Sequence, residues 1–138
     1  SGAWPQVLFQ GNITTFHCYR TGMNAFPIPT GNGGMIYQML FDDLNNGLDT
    51  LPTEWTGLPR LRYIYLRRNG YTTAQVNSLA QQFSDLVDQG MGALYSNNTL
   101  FLNRVGLTTD NEPLTVVPNG WTQEVGRIVR GEQKIYHN

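Results

Sequence analysis

Residues 61–71 carry a spacing of apolar residues that few chain geometries can satisfy. Leu61, Ile64 and Leu66 stand at the first, fourth and sixth positions, Asn69 at the ninth and Tyr71 at the eleventh. This spacing predicts a short strand, a tight turn anchored by the asparagine, and a variable return limb. One such unit cannot bury its own apolar edge, so we expect similar units beside it.

A second unit with the same layout lies upstream, at residues 13–23. Ile13, Phe16 and Cys18 occupy its inward positions, and Thr21 stands at the turn in place of asparagine. Cys18, the single cysteine of the chain, is therefore predicted to fill an inward position as a small apolar side chain.

Between these units there is room for a third unit, and the direction in which Asp42 points decides at which residue that unit starts. A start at Tyr37 would turn Asp42 inward, and burying an unpaired carboxylate is costly. A start at Ile36 turns Ile36, Met39 and Phe41 inward and leaves Asp42 outward. We therefore prefer the start at Ile36 and predict three short parallel strands, one from each unit, that stack side by side.

After Tyr71 the pattern becomes helical. Thr72 and Gln75 form a plausible capping box at the start of a helix predicted over residues 72–90. The apolar side chains that share one face of this helix are Val76, Leu79, Ala80, Phe83, Leu86 and Val87. Because the end of a strand stack must be covered, we expect this face to close its open end.

The C-terminal part of the chain has a β composition. One more short strand is expected at residues 100–102, and residues 113–138 combine strand patterns with turn residues, which predicts a terminal hairpin. The predicted organisation is a repeat unit over residues 1–112, with a cap strand at residues 3–9, followed by a C-terminal segment over residues 113–138. That segment would pack on the repeat unit or on a partner.

These units together resemble the leucine-rich-repeat segments of bacteriophage tail and virion proteins and of related bacterial surface proteins. Residues 11–18 are similar to the opening of those arrays, and residues 69–79 to their closing unit. Residues 120–131 resemble C-terminal pieces of phage fibre proteins. The resemblance implies an α+β fold: a short leucine-rich-repeat-like parallel solenoid of about three strands, capped by one amphipathic helix, with a β-rich C-terminal segment.

The residues offer little for catalysis or for a cofactor. His17 and Cys18 are adjacent, so their side chains should diverge across a strand, and the same holds for Asp42 and Asp43. The two carboxylates best placed for a glycan depolymerase are Asp43 and Glu54, and they make a poor pair. We therefore expect no enzyme activity, no cofactor and no metal.

The charge balance and the lack of long apolar runs argue against nucleic acid and the membrane interior as partners. Nine Lys and Arg residues against ten Asp and Glu residues give no basic footprint for nucleic acid. No apolar run is long enough to span a bilayer, so we expect no membrane insertion.

Stacking the three predicted strands aligns their outward residues into rows. One row is Thr15, Gln38 and Tyr63, and the next is His17, Leu40 and Tyr65. A third row places Asp42 beside Arg67, which predicts a salt bridge. A mixture of aromatic and polar side chains suits a protein contact or stacking on a sugar ring. The predicted binding patch on the outward side of these strands is His17, Tyr19, Leu40, Asp42, Tyr63, Tyr65 and Arg67.

The function predicted from these features is that of a non-enzymatic phage virion protein. It would be a tail-fibre, decoration or attachment module on the particle surface or tail, binding other virion proteins or a host receptor of protein or glycan. By analogy with fibre proteins we expect a homo-oligomer. The alternative is a secreted or surface-exposed bacterial leucine-rich-repeat protein that binds carbohydrate or protein.

Overall fold

The computed structural model describes residues 13–18, 25–26, 35–43, 48–54, 58–91 and 97–138. Within these residues the chain forms one helix and seven short strands. In chain order they are β1 (Thr15–His17), β2 (Gln38–Leu40), β3 (Tyr63–Tyr65), α1 (Thr73–Asp88), β4 (Thr99–Phe101), β5 (Thr122–Glu124), β6 (Arg127–Arg130) and β7 (Gln133–Tyr136). The predicted N-terminal cap strand at residues 3–9 lies outside the described residues.

The seven strands form a single mixed sheet in the order β1-β2-β3-β4-β7-β6-β5. The pairs from β1 to β4, and the pair of β4 with β7, are parallel. The C-terminal strands β5, β6 and β7 pair antiparallel with one another. The sheet therefore continues from the first unit of the chain to its C-terminal hairpins.

The register predicted for the first three strands is confirmed. Thr15 pairs with Gln38 and Gln38 with Tyr63, while His17 pairs with Leu40 and Leu40 with Tyr65. The start of the middle unit at Ile36 is also confirmed, because Ile36 is 1% exposed and Met39 is fully buried.

The predicted fold class, a three-strand leucine-rich-repeat-like solenoid closed by a helix, is wrong. The sheet has seven strands and both parallel and antiparallel pairs. The reason is an apolar row that does not stop at β3. The row runs through paired residues that are all fully buried, namely Met39, Ile64, Leu100, Ile135 and Ile128. Burying each such side chain contributes about 1.5–3 kcal/mol, so further strands add to the sheet.

Helix α1 begins as predicted but has another role. Thr72 accepts a hydrogen bond from the backbone N–H of Gln75, and the Gln75 side chain accepts one from the Thr72 N–H, which completes the capping box. The helix does not close the stack at β3. It is the connection between β3 and the next parallel strand, β4.

The apolar side of α1 packs into the core of the protein. The buried positions of the helix include Val76, Leu79, Ala80, Phe83 and Leu86, as the sequence pattern predicts. Ser84 is buried as well, although its sequence position is on the polar face. Its hydroxyl accepts a hydrogen bond of 2.8 Å from the Trp121 indole N–H, and that bond offsets the cost of burying the hydroxyl.

Two buried asparagines connect the turn after β3 to the rest of the fold. Asn69, the predicted turn anchor, is 2% exposed and donates to the Phe41 carbonyl at 3.1 Å. Gly70, which follows it, has a φ of 66°, a conformation that favours glycine. The second asparagine, Asn111, accepts from the backbone N–H groups of Asn69 and Tyr71. The turn is therefore fixed from two distant parts of the chain.

The C-terminal segment belongs to the same sheet as the first part of the chain. Leu100 of β4 pairs with Ile135 of β7, and the Leu102 N–H donates to the Tyr136 carbonyl at 2.7 Å. The edge strand β5 and the buried His137 meet through the Gln123 amide nitrogen, which lies 3.2 Å from His137 Nε2.

We expect the stability of the protein to fall below neutral pH because of His137. Burial lowers the pKa of His137 from its ordinary value of 6.5, and a hydrogen bond with Asn138 opposes part of that change. As the pH falls below about 6.5, the unfolded chain binds a proton that the folded chain resists, so the free energy of unfolding decreases. Urea unfolding at pH 7.5 and pH 5.5 measures this difference.

The variant His137→Gln should reduce that pH dependence. His17→Gln is the matched control, because His17 is exposed on β1 at the other end of the sheet. An equal reduction in both variants would contradict the assignment to His137.

Candidate binding face

The outward residues of the sheet form a continuous row across six strands. The paired positions are, in order across the sheet, His17, Leu40, Tyr65, Phe101, Tyr136 and Arg127. Three consecutive members carry rings, and we call Tyr65, Phe101 and Tyr136 the aromatic row. All three are half-buried.

The rings of the aromatic row stack on one another. Tyr65 and Phe101 have ring centroids 4.1 Å apart and an interplanar angle of 3°. Phe101 and Tyr136 have centroids 5.4 Å apart and an angle of 7°. Neighbouring strands lie about 4.8 Å apart, so equivalent side chains on paired strands are already near the distance at which rings stack. Burial also raises the pKa of Tyr65 above its ordinary value.

One end of the aromatic row is closed by Arg67. Its guanidinium carbon lies 5.2 Å from the centroid of Tyr65, and the same group bonds the Asp42 carboxylate at 2.7 Å. Asp42 follows β2, so Arg67 lies on the side of Tyr65 that faces away from Phe101. The hydrogen bond to Asp42 raises the pKa of Arg67.

The other end of the aromatic row is closed by Arg127. Its guanidinium carbon lies 5.9 Å from the centroid of Tyr136, and its Nη1 lies 3.3 Å from the Tyr136 hydroxyl. Glu124 accepts from Arg127 Nε at 2.9 Å. The hydrogen bonds to Tyr136 and then to Glu124 raise the pKa of Arg127. The row is therefore a stack of three rings between two arginines.

A second group of aromatic residues flanks this row. Tyr37 and Tyr63 meet edge to face, with centroids 6.3 Å apart, and Tyr63 also contacts Phe101 at 6.3 Å. The guanidinium carbon of Arg62 lies 4.8 Å from the centroid of Tyr63. We use the name strand face for the aromatic row together with Tyr37, Tyr63, Arg62, Arg67 and Arg127.

The residues predicted from the sequence divide into three groups. His17, Leu40, Tyr63 and Tyr65 lie on the outward side of the sheet in the predicted register. The ion pair between Asp42 and Arg67 is confirmed, but the Asp42 carboxylate is buried at 4% exposure, whereas the prediction left it outside. Tyr19 lies outside the described residues.

Sequence reasoning missed the residues of the strand face that lie on β4, β6 and β7, and it also missed Tyr37 and Arg62. Phe101 had a signal: Leu100 and Leu102 alternate inward as Ile64 and Leu66 do, so Phe101 occupies the position equivalent to Tyr65. Tyr136 and Arg127 had no such signal. Tyr136 joins the row because β7 pairs with β4, although the two strands are far apart along the chain, and Arg127 on β6 follows from the pairing of β6 with β7.

The side chains considered for catalysis do not form a cluster. Cys18 packs against the hydrophobic core, as predicted, while His17 is exposed. Asp43 is half-buried and Glu54 is exposed. In the part of the chain that the structure describes, no group of three His, Cys, Asp or Glu residues is placed to hold a metal ion. Across those residues, no helix combines the length and the apolar character that crossing a membrane requires.

A small groove runs between residues 48–54 and α1, and its polar groups already have partners within the chain. Gln82 accepts from the Leu51 N–H at 2.7 Å, and Gln89 donates to the Thr53 carbonyl at 2.8 Å. The groove therefore offers less to a ligand than the strand face does.

No protein family, no curated protein and no solved structure matches this chain. The strand face is the feature from which a function can be argued.

Proposed function

We propose that this chain is a non-enzymatic structural protein of a phage particle, a tail-fibre, decoration or attachment module that binds through its strand face. The resemblance of residues 11–18 and 69–79 to phage tail and virion proteins supports the virion part of the proposal. The composition and order of the strand face support the binding part.

The observation that carries the proposal is a rigid outward surface rich in Tyr and Arg. These residue types supply much of the binding energy at protein interfaces because they bury a large area and also offer polar groups. Tyr65, Phe101 and Tyr136 already hold one another in place, so a partner has few side chains to order when it binds.

The partners we propose are other virion proteins or a receptor on the host surface, with the chain on the particle surface or tail. Fibre proteins are often homo-oligomers, and we extend that expectation to this chain by analogy.

Removing two rings of the aromatic row is expected to abolish attachment while the domain stays folded. In the double variant Tyr65→Ala with Tyr136→Ala, Phe101 loses both stacking neighbours, and a partner loses the two hydroxyls and most of the ring area. The measurement is the amount of the chain on purified particles, together with host attachment by those particles and melting of the isolated chain. Arg67→Glu is a poorer test, because it would place a second carboxylate against the buried Asp42.

Val116→Ala is the control for removing exposed apolar area elsewhere. Val116 is 61% exposed, and its backbone N–H donates to the Asn77 side chain on α1. Particles that keep the double variant at normal copy number and attach normally would contradict the role of the strand face. Absence of the wild-type chain from particles, with the chain found on a bacterial surface, would contradict the virion proposal.

A further inference from the structure

The aromatic row offers its edges to a partner, because the faces of its rings are occupied. Each face of Phe101 meets a parallel ring, at 4.1 Å on one side and 5.4 Å on the other. The remaining faces of Tyr65 and Tyr136 lie under Arg67 and Arg127. A sugar ring would need an open aromatic face to stack on, and Phe101, at the centre of the row, does not provide one.

Ring edges and guanidinium groups have the same electrostatic preference. The edge of an aromatic ring carries partial positive charge, whereas its face carries partial negative charge. The stack therefore presents positive edges along its length and an arginine at each end. Carboxylates are the side chains that best complement such a surface.

The formal charges on this side of the sheet point the same way. Its cations are Arg62, Arg67, Arg127 and Lys134, where Lys134 is the only lysine of the chain and pairs with Thr99 in the row next to the aromatic row. Two carboxylates are placed there by contacts within the described residues: Asp42, which is buried and bound to Arg67, and Glu124, which is bound to Arg127.

Apart from these six residues, the sequence has five Lys and Arg residues against eight Asp and Glu residues. On this side of the sheet the four named cations outnumber the two named carboxylates, and this local surplus of positive charge would steer a negatively charged partner toward it.

We infer that the partner of the strand face is an acidic protein segment, whose carboxylates lie along the ring edges between Arg62, Arg67 and Arg127. This inference rests on the proposed function and adds the chemistry of the partner to it. Arg62, Arg67 and Arg127 lie over Tyr63, Tyr65 and Tyr136, and these contacts reduce the side-chain ordering that binding of the partner requires.

The test uses the full chain and a fluorescent glutamate-rich peptide as the probe. We expect the fluorescence anisotropy to rise on binding at low ionic strength, and the affinity to fall as the Debye length shortens from about 30 Å to about 8 Å in salt. Arg62→Gln and Arg127→Gln should each weaken binding about threefold, the size expected when one exposed ion pair is lost. The double variant should weaken it about tenfold if the two sites act independently.

Arg130→Gln is the matched control for the loss of one positive charge. Arg130 bonds Asp88 on α1 and lies over Trp121, on the other side of the sheet. Equal weakening by Arg130→Gln would overturn the inference, because the peptide would then respond only to net charge. If polygalacturonate or dextran binds and the glutamate-rich peptide does not, the inference is overturned in favour of a glycan partner. Salt-sensitive self-association in sedimentation, lost in Arg62→Gln, would overturn it in favour of a second copy of the chain.

The two proposals can fail separately. Suppose that the wild-type chain is found on particles and the Tyr65→Ala, Tyr136→Ala double variant is not, but the peptide does not bind. The virion role then stands and the acidic partner is excluded. If the peptide binds with the expected arginine dependence but the chain is absent from particles, the acidic partner stands and the virion role is excluded.

Discussion

Replacing Asn111 with alanine is expected to lower the free energy of unfolding by about 3 kcal/mol, which is a large fraction of the stability of a small domain. Asn111 is 1% exposed and uses its whole amide group. Its oxygen accepts from the Asn69 and Tyr71 N–H groups at 3.1 and 3.2 Å. Its nitrogen donates to the Leu66 and Leu102 carbonyls at 2.9 and 3.2 Å.

The alanine variant leaves buried backbone groups without these partners, and that loss is the source of the expected effect. Urea unfolding with linear extrapolation measures it. Asn119→Ala is the control, since Asn119 is exposed in the turn before β5, and we expect little change there. A loss at Asn111 no larger than the loss at Asn119 would show that the four hydrogen bonds do not stabilise the fold.

Asn111→Asp separates the accepting from the donating half of the amide. A carboxylate can still accept from Asn69 and Tyr71, but it places an oxygen against the Leu66 and Leu102 carbonyls. We expect this variant to be strongly destabilised at neutral pH and to regain part of the loss at acidic pH, where a protonated carboxyl can donate once. Equal destabilisation at both pH values would point to size rather than to hydrogen bonding.

Replacing Asp42 with alanine is expected to cost about 2 kcal/mol. The Asp42 carboxylate accepts from the Arg67 backbone N–H at 2.7 Å and from the Arg67 guanidinium at 2.7 and 3.2 Å. Its removal leaves a part-buried N–H and a guanidinium that has lost its counter-charge. Because the Arg67 side chain is 28% exposed, water would satisfy part of that loss, and the cost stays below that of a fully buried pair.

The other end of the aromatic row provides the control for Asp42. Glu124 and Arg127 also form a carboxylate–guanidinium pair, but their side chains are 42% and 38% exposed, so we expect Glu124→Ala to change stability much less. A double-mutant cycle between Asp42 and Arg67 would isolate their coupling. Similar losses at Asp42 and Glu124 would contradict the importance of burial.

The outward row of the sheet was predictable from the sequence in its first three strands and not in the strands that follow. The row from His17 through Leu40 to Tyr65 follows from the spacing within each unit, because side chains alternate across a strand and a one-residue shift would expose the apolar set. The continuation to Phe101 and Tyr136 depends on which strand lies beside β3 and β4. Those contacts complete the ring stack, and the ring stack decides which chemistry the face offers.

Asn69 and Asn111 show the same division at the level of single residues. Asn69 has a position within a repeated spacing, so the sequence predicts its turn. Asn111 stands in a loop with no periodic pattern, yet it makes four hydrogen bonds to buried backbone groups. Its importance depends on the packing of residues 109–112 against the end of β3, which no local pattern encodes.

The sequence by itself determined the inward and outward residues of the first three strands, their parallel register, and the start of α1. These features depend on spacing over a few residues, where side-chain alternation and capping act directly. Only the tertiary structure decided that α1 connects two strands, that the sheet has seven strands, and that three rings stack between two arginines. Those features depend on pairing between distant segments, and such pairing is selected by the burial of one shared apolar row rather than by any local pattern.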